Sequence, residues 1–465
     1  VNIWICNPYD PLPDEGLGEL RYARLSQALV AQGHVVTWWS ADWSHGLKRQ
    51  RSLKTGPEGG EPKPGARGEA LDENQERGTS QPKTGKLKTS KLELKLLPVP
   101  SYQKNISLRR VWSHWCYARG IAKQAKGYAT THGKPDVILF SVPPMETGAV
   151  ALKLGKQYGA KVVLDVMDAW PETLLLALPS AGSREQGAER KILASVLRSL
   201  SSVLLTPYTR MMRRYCRKVD AICAQSEAFA DYARKYGATG NIPVFRLATQ
   251  SPFHLRPLDT ADQRGDGLDS PTFSPSHLQA FPQKRIFRIL YLGSMGRVYD
   301  LVTLVDAVLQ LLKNGVLVLM DLVGEGEQKA ALEARVAAAG QESAIRFHGY
   351  LSGEALAGVL ATADVGVIPM EPASKVAVPY KAADYLSCGL VLVNSLPGEL
   401  EVMLDSYACG CSYTAGNIGS LVSALRHWLD DREALDRGKV GARQLFEAEF
   451  DATRIYPAMA DWVVG

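Results

Sequence analysis

The segment Val378-Pro379-Tyr380-Lys381-Ala382-Ala383-Asp384-Tyr385-Leu386-Ser387-Cys388-Gly389 places a lysine and an aspartate three positions apart. Pro379 is suited to open a helix, and a spacing of three puts Lys381 and Asp384 on one face of it. At a surface such a pair contributes little. This helix is otherwise small and apolar, which predicts burial, and a buried pair costs desolvation unless something binds there. A phosphate on Lys381 and a ribose diol on Asp384 would satisfy both groups. A second candidate is Gly293-Ser294-Met295-Gly296-Arg297. Two glycines, the start of a helix and a delocalised cation suit a diphosphate, with Gly293, Gly296 and Arg297 as its contacts.

Two further segments follow strand-like runs nearer the start. Met167-Asp168-Ala169-Trp170-Pro171-Glu172 offers two carboxylates. They read either as a cap and a helix opening or as groups that bind sugar hydroxyls or act as a base. Asn7–Glu19 contains Gly16 and Gly18 and leads into Arg21 and Tyr22. Glycines between a strand and a helix allow close ligand approach, and a plain long turn explains them equally.

The elements that must position these residues alternate in type. Strand-like runs at Val1–Cys6, Val35–Ser40, Asp136–Ser141, Lys161–Val166 and Ala221–Gln225 are separated by helical spacing at Leu20–Gln32, Gly148–Tyr158 and Ala228–Tyr236. The same order restarts at Arg288–Leu292 and continues through Val316–Val323, Ile345–His348, Val365–Pro369 and Val391–Asn394. Alternation of this kind predicts two doubly wound, Rossmann-like α/β domains, whose ligands bind beyond the carboxyl ends of the strands. The domains are expected at 1–257 and 285–450, joined by a linker at 258–284. A last helix at 451–465 is expected to pack back on the first domain. Residues 46–92 are rich in Gly, Pro, Lys, Glu, Gln and Ser, and are expected to form a disordered insertion.

The 465 residues carry a net charge of +6, and no run approaches the length of a membrane span. Val1–Cys6 reads directly as a buried strand, so no leader is expected. Seven scattered cysteines predict free thiols in a reducing, cytoplasmic setting, and no metal site is expected. Basic residues concentrate at Gly46–Lys95 and at Arg210, Arg213, Arg214, Arg217 and Lys218. They read either as solvated surface or as a face that meets anionic lipid or a pyrophosphate-linked acceptor.

In order along the chain, Arg21-Tyr22, Gly33-His34-Val35-Val36-Thr37, Asp165–Glu172, Gly293–Arg297, Leu322-Val323-Gly324-Glu325-Gly326, Ala363-Asp364-Val365-Gly366 and Pro379–Gly389 resemble the family-4-type retaining glycosyltransferases of the GT-B fold, including those of bacterial surface-polysaccharide synthesis. The resemblance implies two domains facing a central cleft. It implies a nucleotide-diphosphate sugar in the second domain, with Arg297 and Lys381 at the diphosphate and Asp384 at the ribose. Gly16, Gly18, Arg21, Tyr22, Asp168 and Glu172 would face the acceptor and the transferred sugar, with Asp168, Arg297 and Lys381 carrying the chemistry. A glycan or polyprenyl-linked acceptor is implied, with no metal, no other cofactor and no nucleic acid. Peripheral contact with the inner face of an anionic plasma membrane is expected.

The sequence departs from the family where Val376 stands at the first Glu of its Glu–x7–Glu pair, with Glu371 or the Ser374-Lys375 pair as the substitute, or the sugar held differently. Tyr299-Asp300 stands where the family's Lys falls, and Ser141-Val142-Pro143-Pro144 where many relatives place a His. The other readings of the same pattern are a catalytically silent GT-B partner subunit and a GT-B epimerase acting on UDP-sugars.

Overall fold

The computed structural model describes residues 1–12, 15, 20–51, 84–86, 91–104, 107–172, 205–250, 286–372, 374 and 376–465. The chain divides into two compact units. One comprises Val1–Arg246 with Arg454–Gly465, the other Leu247–Thr453.

In the first unit the chain runs β1 (Asn2–Cys6), α1 (Arg21–Ala31), β2 (Val35–Ala41), β3 (Trp43–Ser44), β4 (Arg49–Gln50), β5 (Thr84–Lys86), β6 (Leu92–Leu97) and α2 (Leu108–His132). It continues through β7 (Val137–Val142), α3 (Met145–Tyr158), β8 (Lys161–Val166), a helix α4 over residues 205–218, β9 (Ala221–Ala224) and α5 (Glu227–Lys235). Seven strands form one sheet in the order β5-β6-β2-β1-β7-β8-β9. Every neighbouring pair is parallel except β5 and β6. The interior strand β7 is buried along its whole length, as a strand covered on both faces must be.

The second unit runs β10 (Phe287–Leu292), α6 (Leu301–Lys313), β11 (Val318–Val323), α7 (Lys329–Ala338), β12 (Ile345–Gly349), α8 (Gly353–Thr362) and β13 (Val365–Ile368). It continues through α9 (Tyr380–Ser387), β14 (Val391–Asn394), α10 (Glu399–Ser406), β15 (Gly410–Ser412), α11 (Ile418–Asp430) and α12 (Arg432–Glu449). Its six strands, all parallel, lie in the order β12-β11-β10-β13-β14-β15. Side-chain alternation sorts the core into two layers. Ile289, Tyr291, Met320, Leu322, Val365 and Val391 pack with residues of α6 and α11 on one face. Leu290, Val323, Ile368 and Leu392 pack with α9, α10 and α12 on the other. The expected pair of parallel α/β sheets is therefore what forms.

Several segments differ from the sequence reading. The stretch 46–92 is not structureless at its ends: β4 pairs with β3, and Arg51 is buried. The Arg51 guanidinium donates to Pro8 O, Ser40 Oγ, Ala41 O and Asp10 O and pairs with Glu15. Five acceptors drawn to one guanidinium explain why an apparently solvated segment is anchored there. Residues 52–83 and 87–90, and the linker 258–284, lie outside the described residues. Strand β6 and helix α2 were not anticipated. The alternation in Leu92-Glu93-Leu94-Lys95 is short, and β6 is defined by its pairing with β2.

The last helix, α13 (Ala452–Val464), belongs to the first unit. Lys161 Nζ donates to Val463 O at 3.2 Å, and Gln32 Nε2 to Asp461 Oδ1 at 2.7 Å. Met459 and Val463 are fully buried.

The first unit is tied across its sheet by a buried ion pair. Arg21 and Asp165 are both fully buried, with Nε to Oδ2 at 2.7 Å and Nη2 to Oδ1 at 2.9 Å. Tyr22 donates its hydroxyl to the same Oδ2 at 2.7 Å, and Arg21 Nη1 donates to Phe245 O. Removing one member of such a pair leaves an uncompensated charge in the core. Asp165→Ala is expected to lower stability by about 3 kcal/mol or more. Arg21→Met/Asp165→Leu should be less damaging than the single change. Urea titration of the three proteins checks both outcomes.

Candidate functional site

The chain leaves β10 in one direction to form β11 and β12, and later returns to form β13 on the other side of β10. The carboxyl ends of β10 and β13 thus bracket the switch point of the second sheet, where open α/β sheets bind ligands. Gly293 follows β10 there, and Gly324 follows β11. Both adopt φ +136°, a conformation that glycine accepts and side chains resist. A Cβ on Gly324 would lie 2.0 Å from Gly293 O, so the two loops can only pass each other without a side chain. They are then zipped together. Met295 N donates to Glu325 O at 2.8 Å, and Gln328 Nε2 donates to Gly296 O and Tyr299 O at 2.7 and 3.0 Å.

Lys381 projects from the first turn of α9 to this loop. It is 8% exposed, and its ammonium makes no hydrogen bond. The ammonium lies 4.3 Å from the ring centre of Tyr291 and 4.0 Å from that of Tyr299, against the Cα of Gly293. Burial lowers its pKa from the usual 10.5 to about 7. Burial also raises the two phenols above the ordinary tyrosine value, so both stay neutral. Two ring faces attract a cation yet replace neither its hydration nor a counter-ion. A buried ammonium held this way is poised for an anion.

The other expected donor residues are distributed unevenly. Asp384 is half-buried on the same helix, but the pairing of Lys381 with Asp384 is not made, since Lys381 Nζ turns to the tyrosines. Arg297 is not at the ammonium. Its side chain is 85% exposed and pairs with Glu327 at 3.2 Å. It borders a groove of about 300 Å³ whose lining includes Val302, Glu327, Leu332 and Arg335. Glu371 is half-buried at the end of β13, and its backbone N–H donates to Val298 O at 3.0 Å. Burial and then the charge of Asp300 raise its pKa. Val376 is exposed.

In the first unit, Arg21 and Tyr22 are fully buried and committed to Asp165. That corrects their expected place at an acceptor, because neither polar head reaches solvent. Glu172 is held by α5, accepting from the hydroxyl of Tyr232, from Tyr236 at 2.6 Å and from Lys235 at 3.2 Å. Asp168 is half-buried and accepts from the backbone N–H of Ala169 at 2.7 Å. Gly16 and Gly18 lie outside the described residues.

Tyr291 and Tyr299 were missed by sequence reasoning. Tyr291 reads as an ordinary core residue of a strand. Tyr299 was visible only as the occupant of a position where a lysine was expected.

Residues 18–246 match the family described as glycosyl transferase 4-like domain, and residues 286–431 match glycosyl transferases group 1. The chain is a glycosyltransferase. Its fold is shared with sucrose-phosphate synthase from Thermosynechococcus elongatus, at 16% identity over 99% of this chain and 98% of that one, with a TM-score of 0.64. It is also shared with HepE of Anabaena solved in complex with UDP, at 12% identity over 100% of both chains and a TM-score of 0.54. The lipopolysaccharide outer core galactosyltransferase WaaB, in its apo form, matches at 11% identity over 100% of this chain and 99% of that one, with a TM-score of 0.55. Compared by sequence with curated proteins, the glycosyltransferase matches none. Neither the silent-partner nor the epimerase reading is favoured by these likenesses.

The cost of the buried ammonium can be measured directly. The folded pKa of Lys381 lies below its unfolded value, so the unfolded chain binds more protons between about pH 7 and 10.5. The charge penalty is therefore full below pH 7 and fades as pH rises through that window. Lys381→Met is expected to melt above the parent protein at pH 6, with the gap closing toward pH 10.5. Paired thermal melts across that range check it.

Proposed function

We propose that this glycosyltransferase moves a sugar, with retention, from a nucleotide-diphosphate donor to a glycan or polyprenyl-linked acceptor in surface-polysaccharide synthesis. The observation that carries the donor assignment is the Lys381 ammonium, buried without a hydrogen-bond partner at the switch point of the second sheet. A diphosphate placed against it would supply the missing counter-charge, and the ammonium would stabilise that diphosphate as it leaves. Arg297 reaches the same diphosphate by exchanging its exposed pair with Glu327, which costs little because the pair is solvated. Asp384 takes the ribose hydroxyls. Glu371, at the end of β13, takes the role that Val376 cannot perform toward the sugar. Asp168 would meet the acceptor hydroxyl. The reaction uses fixed positive charge and no metal. The structure of HepE holding UDP supports a nucleotide in this fold.

Binding of a diphosphate should raise the pKa of Lys381 again, so the free protein takes up a proton on binding above pH 7. Affinity for UDP, GDP or dTDP is expected to fall as pH rises from 7 to 9, and Lys381→Ala to weaken it by more than about tenfold at pH 7. Calorimetry with the three nucleotides checks this, together with release of nucleoside diphosphate from UDP-, GDP- and dTDP-sugars. Unchanged affinity in a folded Lys381→Ala protein sinks the assignment.

The site of action is proposed to be the inner face of the plasma membrane. Among the described residues no helix is long and apolar enough to cross a membrane. The outer face of α2 instead exposes Leu108, Trp112 and Trp115, the two indoles stacked at 5.0 Å, with Arg119 over Trp115. Arg210, Arg213, Arg214, Arg217 and Lys218 are exposed on α4. Indoles at headgroup depth with nearby cations suit an anionic interface. Flotation with phosphatidylglycerol vesicles should show salt-sensitive binding that Trp112→Ser/Trp115→Ser reduces.

A further inference from the structure

The two tyrosines that hold the Lys381 ammonium use their hydroxyls differently. The Tyr291 hydroxyl donates to Ser294 O at 2.5 Å and so ties the end of β10 to the glycine loop. The Tyr299 hydroxyl makes no hydrogen bond among the described residues. Tyr299 is half-buried, and its oxygen is not sealed from solvent. One phenol is therefore spent on the fold, and the other keeps its O–H beside the ammonium.

The place of that free hydroxyl is fixed by the backbone beneath it. Tyr299 N donates to Gly296 O at 3.1 Å, and Tyr299 O accepts from Gln328 Nε2 at 3.0 Å. Tyr299 also forms an antiparallel bridge with Met370. The next residue, Asp300, donates its N–H to Pro369 O at 2.9 Å, and its Oδ2 accepts from Gly416 N at 2.7 Å. Segments that follow β11, β13 and β15 thus grip one short stretch of the loop after β10. The Tyr299 ring stands edge to face with Tyr291, centres 6.0 Å apart at 70°. The ammonium occupies the corner between them, 4.0 Å from the ring centre of Tyr299.

An ammonium over a ring face and a hydroxyl on the rim of that ring can share one acceptor. Two hydrogen bonds of about 2.8 Å, placed end to end, span the gap between them. Burial raises the Tyr299 phenol above the ordinary tyrosine value, so it keeps its proton and serves as a donor. An acceptor that answers both groups carries negative charge, since a neutral oxygen would leave the ammonium uncompensated. A phosphoryl oxygen meets that need. The lysine is a compact charge on a flexible stem and gives little direction. The phenol O–H, set by a ring that is pinned at its backbone, supplies the direction. When the bond from the sugar to the diphosphate breaks, its electron pair stays on the phosphoryl oxygen. A donor already aimed there stabilises the new charge without rearranging.

We infer that Tyr299 is a donor-binding residue: its ring face holds the Lys381 ammonium, and its hydroxyl donates to a phosphoryl oxygen of the same diphosphate. The inference rests on the proposed donor site and adds the residue that orients the diphosphate against the lysine. Tyr299 stands where a lysine was expected, and contributes a neutral donor in its place.

The test is calorimetry of the full chain at pH 7 with inorganic pyrophosphate and with UDP, GDP and dTDP, beside thermal melts without ligand. Tyr299→Phe removes the hydroxyl and keeps the ring face. It is expected to melt with the parent protein, because that hydroxyl has no partner to lose. It should bind pyrophosphate and the preferred nucleotide at least about fivefold more weakly. The loss of affinity as pH rises from 7 to 9 should persist in it, since Lys381 stays between its two rings. Tyr291→Phe is the contrast and should melt below the parent, because Ser294 O loses its donor. Parent affinity in Tyr299→Phe, with weakened binding in Lys381→Ala, overturns the inference and leaves the donor site standing. A Tyr299→Phe protein that melts as far below the parent as Tyr291→Phe assigns the hydroxyl to the fold and overturns it as well. Absence of binding by the parent, or parent affinity in Lys381→Ala, removes the donor site and the inference with it.

Discussion

The Lys381 ammonium lies between the faces of Tyr291 and Tyr299 without a hydrogen bond. Much of the second unit is arranged so that it can. Gly293 holds φ +136°, which side chains resist, and a Cβ there would crowd Lys381 Nζ at 2.9 Å. Gly324 must lack one too, so that the loop after β11 can brace the loop after β10. The tyrosines come from the end of β10 and from the loop that β10 feeds, and α9 delivers the lysine from the opposite face of the sheet. Burial of that charge costs stability.

The two units treat buried charge in opposite ways. In the first, Arg21 is surrounded by Asp165, Tyr22 and a carbonyl, and every polar atom of the pair is occupied. Such a network specifies how α1 docks on the sheet and offers nothing to a ligand. In the second, Lys381 is held by ring faces and no acid, which leaves its hydrogen-bonding capacity unspent. A buried cation is informative about binding only when its partners are known.

Glycosyltransferase chemistry was legible because it depends on local order: a strand, a glycine turn and a helix start repeat at each functional loop. Gly293–Arg297 and Lys381 could be named from that order alone. Arg297 was read correctly as the residue following the glycines, yet its side chain pairs with Glu327 at the surface, a choice made by a residue thirty positions away. Arg21 was read as a ligand-facing cation because it opens a helix after a glycine loop. Its burial depends on Asp165, which reaches it from the end of β8. The insertion at 46–92 looked uniformly polar, but Arg51 is recruited by carbonyls and a carboxylate from the loop after β1 and from the end of β2.

The sequence by itself determined the two parallel α/β units, because hydrophobic periodicity and turn residues act over a few positions. It also singled out Lys381, since a lysine in a small, apolar helix start is unusual on its face. Only the tertiary structure decided what that lysine faces. Aspartate was the sequence neighbour on the same helix face, and the tyrosines of two other segments are the spatial ones. Charge partners are set by which strands lie side by side, and strand order in a parallel sheet is fixed by long crossovers that leave no short-range trace.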